Sequence, residues 1–270
     1  MTSNQRLIEN LIKISKKAGD AIMDIYESEF NVDIKSDKSP LTKADLLSNK
    51  IICSSLKEIT PEIPVLSEES SDIQYKDRLR WKDYWLVDPL DGTKEFIKKN
   101  GEFTTNIALI SGNRPILGVI HVPAINETFW GSNEIGAYHL IGNSLSNKKR
   151  ISVSKERKSE LRIVCSRSHP SGGLKKLLDK LGKYKLVNTG SSLKFCIVAK
   201  GEADCYPRLG PTSEWDTAAG EIIAESAGAN IVDLKNKAIK YNQKDDYLNP
   251  YFLVSNNEET KKEILSMVDY

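Results

Sequence analysis

The run Trp85-Leu86-Val87-Asp88-Pro89-Leu90-Asp91-Gly92-Thr93-Lys94-Glu95-Phe96 constrains this chain more than any other stretch. An apolar strand ends in two aspartates three residues apart, then a glycine and a hydroxyl residue where a helix can begin. Asp88 precedes a proline and is therefore held extended, and Pro89 fixes φ and starts a turn. The two carboxylates can then converge, with the Leu90 carbonyl between them as a neutral oxygen. Such oxygen ligands suit Mg²⁺, which keeps several waters and shares phosphate oxygens with a substrate. Gly92 leaves the backbone open to close approach, and Thr93 stands at a helix start, where free N–H groups favour an anion. A ligand-free turn and capped helix would use the same residue types. The complete twelve-residue run is more specific than its parts and points to a metal–phosphate site.

With 270 residues, 39% of them hydrophobic, the chain can form one large domain or two modest ones. Lys and Arg number 39 against 37 Asp and Glu, and a formal net charge of +2 argues against a dedicated nucleic-acid binder. Cys53, Cys165, Cys196 and Cys205 include no Cys-x-x-Cys pair, so reduced thiols are expected rather than a zinc site. Residues 1–20 lack the apolar core of a signal peptide. No apolar stretch reaches the ~18 residues of a membrane span. The expectation is a cytoplasmic protein with no integral membrane segment; peripheral attachment to the cytoplasmic face of the inner membrane stays open.

Apolar residues at helical spacing predict a long amphipathic helix over 4–30. Asn31–Pro40 is polar and reads as a mobile hairpin or loop. A second helix is predicted over 42–59, with Leu46, Leu47, Ile51, Ile52 and Leu56 on one face, and a short strand at Val65-Leu66 leads into Ser67-Glu68-Glu69. Strands at 104–111, 115–122, 128–132 and 137–141 give a helical layer on an antiparallel sheet. Lys148–Arg150 reads as a solvated basic cluster near a boundary. From about Ile151 the pattern changes. Strands at 162–165, 185–188 and 204–208 alternate with helices at 174–181, 192–199 and 217–227, before strands near Ile231 and Leu253 and a helix at 258–267. This divides the chain into an α+β half, residues 1–150, and an α/β half, residues 151–270.

Three more segments gain meaning only in company. Glu68-Glu69 would usually be a solvated turn, but paired acids at a strand end also invite a cation. Thr42 and Asp45 read as a helix cap and a first-turn acid. Asp216 lies at a helix start, followed by small residues that allow close packing. Together, Asp88-Pro89-Leu90-Asp91-Gly92-Thr93 and Trp215-Asp216-Thr217-Ala218-Ala219-Gly220 resemble the two signatures of the inositol monophosphatase superfamily of metal-dependent phosphatases. Glu68-Glu69 and Thr42 with Asp45 match its other acidic elements in the same order. Ser67 stands where many members carry Gly, which leaves the carboxylates in place. Lys94-Glu95-Phe96 with Asn100-Gly101-Glu102-Phe103, Ser166–His169, Gly190–Phe195 and Tyr206-Pro207-Arg208 resemble the branch of 3′(2′),5′-bisphosphate nucleotidases.

That resemblance implies an α/β protein with a layered αβαβα sandwich and a site between its halves. It implies two or three Mg²⁺ ions, Glu68, Asp88 and the Leu90 carbonyl holding one and Asp88, Asp91 and Asp216 a second. So many anions in one pocket repel unless cations sit among them. The implied reaction is attack of an activated water on a phosphomonoester, with Thr93, Asp45 and Glu68 as the catalytic residues. Leu90, Asp91, Gly92, Thr93 and Asp216 would surround the reacting phosphate. The implied substrate is a small bisphosphonucleotide, 3′-phosphoadenosine 5′-phosphate, hydrolysed to AMP and phosphate in sulfur metabolism, with sensitivity to lithium. Lys194 and Arg208 are expected on its other phosphate, with His169, Ser191 and Ser192 as hydrogen-bond partners. The nearest alternative is an inositol or sugar phosphate phosphatase on the same scaffold. The alternative from another class is a non-catalytic nucleotide sensor.

Overall fold

The computed structural model describes residues 3–34, 40–156, 160–167 and 172–268. Helix α1 (Ser3–Tyr26) buries Ile8, Leu11, Ile12, Ala18 and Ile22 along one face and ends four residues earlier than its apolar pattern predicts. Strands β1 (Val32–Ile34) and β2 (Pro40–Thr42) pair antiparallel as a hairpin, whose residues 35–39 lie outside the described residues. Thr42 caps α2 (Lys43–Ile59): its hydroxyl accepts from Ala44 N, while Asp45 Oδ2 accepts from both Thr42 N and Thr42 Oγ1 at 2.7 Å. Along α2 the inward stripe is Asp45, Ser48, Ile52 and Leu56. Leu46 and Leu47 are instead 50% and 40% exposed, because the first inward turn is occupied by polar side chains that serve the site.

β3 (Val65–Ser67), α3 (Tyr75–Arg78), β4 (Asp83–Asp91), α4 (Thr93–Ile97), β5 (Thr104–Ser111), β6 (Arg114–Val122), β7 (Glu127–Ser132), β8 (Gly136–Ile141) and β9 (Lys149–Ile151) complete the first half. Their seven strands form one sheet in sequence order. The sheet departs from a fully antiparallel meander at one edge, where β3 runs parallel to β4 after a crossover through residues 68–82. Lys148–Arg150 is exposed as expected, with Lys149 and Arg150 in edge strand β9, where charges suit an unpaired edge. Successive residues of the central strands serve opposite faces. Trp85, Val87, Ile107 and Val119 pack on α1 and α2, whereas Tyr84, Leu86, Ala108 and Ile120 face the other way.

The second half comprises β10 (Leu161–Ser166), α5 (Gly172–Lys180), β11 (Tyr184–Thr189), α6 (Leu193–Ala199), β12 (Cys205–Arg208), α7 (Glu214–Ser226), β13 (Asn230–Asp233), β14 (Phe252–Ser255) and α8 (Glu258–Met267). Its five strands are ordered β11-β10-β12-β14-β13, with β10, β11 and β12 parallel and β14 antiparallel to both its neighbours. Helices α6 and α7 lie between the two sheets, and α5 and α8 cover the outer face of the second. The layers therefore run α, β, α, β, α. On the α7 side of the first sheet, Ala108, Gly118, Gly131 and Ala137 are cross-strand neighbours. This row of small residues forms a trough into which α7 settles: a Cβ on Gly118 would lie 2.7 Å from Ala219 O. All four cysteines are free, and burial pushes the Cys196 and Cys205 thiols far above their usual range. No helix among the described residues is long and apolar enough to cross a membrane.

Candidate active site

The site begins at an irregularity in β4. Asp88 pairs with Asn106 and Asp91 with Thr104, so three steps on β4 match two on β5. In a regular strand, residues three apart point to opposite faces; the extra residue of the bulge lets both aspartates face one side. Ser48 Oγ donates to Pro89 O (2.7 Å), and Leu90 N donates to Asp88 Oδ1 (3.0 Å), which fixes the bulge. Parallel pairing of Ser67 with Val87 then places Glu68 beside Asp88. Asp216 arrives from the other half in the first turn of α7, where its Oδ2 accepts from Ser213 N (2.9 Å). Carboxylate oxygens of Asp88, Asp91 and Asp216 all lie within 4.8 Å of one another.

Their electrostatics are those of buried acids crowded together. Burial, followed by the fields of Glu68, Asp91 and Asp216, raises Asp88 well above the carboxylate range. Burial and Asp91 push Asp216 up to about 8, against the opposing Ser213 N–H and Arg208. One oxygen of each acid is anchored by the protein: Asp88 Oδ1 by Leu90 N, Asp91 Oδ2 by Ser191 Oγ (2.6 Å) and Asp216 Oδ2 by Ser213 N. An all-oxygen, multiply anionic donor set of this kind fits a hard divalent cation.

Gly92 turns the chain from β4 into α4 at φ +89°, a left-handed conformation favouring glycine. A Cβ there would also stand 3.1 Å from Glu102 O. Thr93 follows, its hydroxyl 3.2 Å from Asp45 Oδ1 and 3.3 Å from Leu90 O. Asp45 is buried and uses its two oxygens separately, Oδ2 for the α2 cap and Oδ1 for Thr93.

A cleft of about 250 Å³ opens at Asp91 and Asp216, lined also by Gly92, Ser191, Ser192, Lys194 and Arg208. Lys194 is buried, donates to Ser191 O (2.5 Å) and sits 5.8 Å from the centre of the Tyr206 ring. Burial lowers its pKa, with Asp91 pulling the other way. Arg208 donates through Nε to Gly210 O (3.2 Å) and through Nη2 to Pro211 O, bracing the loop that leads into α7. Ser191 and Ser192 direct their hydroxyls inward, toward Asp91 and Asn106. His169 lies outside the described residues.

Some contributors have no counterpart in the sequence reading. Lys98 lines the cleft one turn beyond Lys94. Thr104 and Asn106, fully buried polar residues at the start of an apolar strand, back the site; their polarity in such a strand was the available signal. Arg78 is wholly buried between the Tyr75 and Tyr247 rings and bonds Asn242, whose N–H donates to both Glu214 oxygens at the start of α7. The network ties the crossover that follows Glu68 to the helix that carries Asp216. Nothing in the sequence separates Arg78 from the other basic residues.

The model of the inositol monophosphatase family matches residues 3–269. The 3′(2′),5′-bisphosphate nucleotidase CysQ of Escherichia coli K12 is 44% identical over 251 residues, covering 92% of this chain and 99% of that protein. The crystal structure of CysQ from Bacteroides thetaiotaomicron superposes with a TM-score of 0.83 at 40% identity, over 94% of this chain and 98% of that one. An IMPase/NADP phosphatase solved with Mg²⁺ and phosphate shares the fold at 20% identity, with a TM-score of 0.80 over 98% of this chain and 96% of that one. The chain, with its bulged Asp88–Asp91 turn and its α7 aspartate meeting across two halves, belongs to the inositol monophosphatase family.

Proposed function

We propose that this protein is a Mg²⁺-dependent 3′(2′),5′-bisphosphate nucleotidase that hydrolyses 3′-phosphoadenosine 5′-phosphate to AMP and phosphate. The observation that carries the reading is a single cleft whose lining brings Asp91 and Asp216, two of the three clustered acids, together with Lys194 and Arg208. Glu68, Asp88, Asp91, Asp216 and the Leu90 carbonyl would hold two or three Mg²⁺ ions, which supply the charge that the acids and the phosphate need and lower the pKa of water. Thr93 orients the attacking water through its hydroxyl, and Asp45, bonded to that hydroxyl, receives the released proton with help from Glu68. The N–H groups of Gly92 and Thr93 hold the reacting phosphate. Lys194 and Arg208 meet the second phosphate, a role that favours a bisphosphate over a monophosphate. Residues 1–150 then supply most metal ligands and residues 151–270 supply Asp216 and selectivity. A place in sulfur metabolism and inhibition by Li⁺ accompany this reading.

The test is phosphate release from 3′-phosphoadenosine 5′-phosphate, AMP, inositol 1-phosphate and fructose 1,6-bisphosphate, each with Mg²⁺ and with EDTA. The expected result is a preference for the bisphosphonucleotide that EDTA abolishes. Preference for inositol 1-phosphate would reject the substrate, and release that persists in EDTA would reject the metal ligands.

A further inference from the structure

Behind Asp91 lies a knot of polar side chains that draws on both halves. Ser191 Oγ is 2.6 Å from Asp91 Oδ2 and 2.6 Å from Thr104 Oγ1. Thr104 Oγ1 is 2.8 Å from Ser192 Oγ and 3.0 Å from Asn106 Oδ1, and Ser192 Oγ is 2.8 Å from Asn106 Oδ1. These five contacts need five protons, and the three hydroxyls hold only three. With the Asn106 oxygen turned toward the hydroxyls, Ser191 donates to Asp91, and Thr104 and Ser192 both donate to Asn106. No proton then remains for the contacts that Thr104 makes with Ser191 and Ser192. The two amide protons would meanwhile be wasted, since Asn106 Nδ2 is buried without an acceptor.

A half-turn of the amide exchanges its nitrogen and oxygen, and the hydrogen-bond inventory decides between the two orientations. With nitrogen facing the hydroxyls, Asn106 donates to Thr104 and to Ser192. Ser192 donates to Thr104, Thr104 to Ser191, and Ser191 to Asp91. Each contact now has one proton, and the chain runs in one direction, ending on a carboxylate that only accepts. The atom left without a partner becomes a carbonyl oxygen, which tolerates burial better than an N–H. Ser191 also holds φ at +50°, an unusual conformation for serine that needs fixed surroundings.

We propose that Thr104 and Asn106 are positioning residues that act through Ser192 and Ser191 to lock the Asp91 carboxylate in the plane where it meets Asp88 and Asp216. This rests on the metal role proposed above for Asp91. The chain also makes that role depend on contact with the Gly190-Ser191-Ser192 loop.

Two near-isosteric variants test it. Thr104→Val removes the hydroxyl and keeps the shape, while Thr104→Ser keeps the hydroxyl. Mg²⁺ alone is titrated into each metal-free protein by calorimetry, and the Mg²⁺-induced rise in Tm is followed in parallel. Thr104→Val should weaken Mg²⁺ binding about tenfold or more, the usual effect of losing an outer-shell partner, and Thr104→Ser should stay within about twofold. Ser192→Ala alone should weaken binding severalfold, yet add nothing to Thr104→Val, because both interrupt the same chain. Equal Mg²⁺ affinity in wild type and Thr104→Val overturns the inference, as does equal weakening by Val and Ser. A wild-type protein that binds no Mg²⁺ overturns instead the metal reading beneath it. The metal-free Tm of each variant reports folding separately.

Discussion

Gly118→Ala tests whether the spacing between the first sheet and α7 sets the active site. The added methyl would lie 2.6 Å from Ile222 Cγ2, 2.7 Å from Ala219 O and 2.9 Å from Ala219 Cα. The Ile222 methyl can turn aside, but the Ala219 atoms are helix backbone. Ordinary contact begins at 3.4 Å, so α7 must lift by about 0.7 Å at this point. Overpacking of this kind costs ~1–3 kcal/mol, a fall in Tm of roughly 2–10 °C in a chain of this size. The catalytic effect should be larger than that suggests. Asp216 stands less than one turn from Ala219 on the same rigid helix, and misplacement by about 1 Å can slow a reaction by ~100-fold. We expect kcat to fall about 10- to 100-fold and the Mg²⁺ requirement to rise. The assay is phosphate release against Mg²⁺ concentration, with Tm from calorimetry. Gly172→Ala is the control, since its methyl meets nothing within 4 Å. Wild-type kcat and Tm in Gly118→Ala would refute the argument that the trough of small residues places Asp216.

Asp91→Asn keeps the shape of a proposed ligand and removes its charge; turnover should fall by at least ~100-fold while the metal-free Tm does not drop, because the crowding of acids around Asp88 is relieved. A phosphate-release rate near wild type would remove Asp91 from the metal site. Glu221 gives a pH prediction. Burial and Glu225 push it up to about 8 from 4.5, against Arg114 and the Tyr241 hydroxyl, which donates to Oε2 (2.6 Å). Between those two values the folded state keeps a proton that the unfolded chain has released, so stability falls as pH rises, by up to about 1.4 kcal/mol per unit. Gln cannot titrate, so Glu221→Gln should match wild type near pH 5 and be the more stable near pH 8.5. Urea unfolding of the metal-free proteins across that range measures it, and identical slopes would show that Glu221 ionises normally.

Much of this protein was legible in its sequence wherever the deciding physics is local. The Thr42–Asp45 cap follows from hydrogen bonds within one turn, and strand β4 from an apolar run, although Pro89 does not start the turn as expected: the strand continues through a bulge to Asp91 and turns at Gly92. The acids that cluster were all singled out from motif context, and Asp88, Asp91 and Asp216 do meet. What remained hidden depends on partners far along the chain. Leu46 and Leu47 look like core by spacing, yet Asp45 and Ser48 claim the inward face because Thr93 and Pro89 lie opposite. Composition left open whether β3 ran parallel or antiparallel, and that direction puts Glu68 at the metal end of the sheet. The bulge between Asp88 and Asp91 is set by pairing with β5, and the depth of α7 by the row from Ala108 to Ala137. Arg78 is revealed as part of the site only by the folded chain, and the polarity of Thr104 and Asn106 acquires its meaning there, since hydrogen bonds across 86 to 164 residues leave no periodic trace in sequence. Sequence determined which chemistry the chain carries; tertiary packing decided the angles and distances at which its acids face one another.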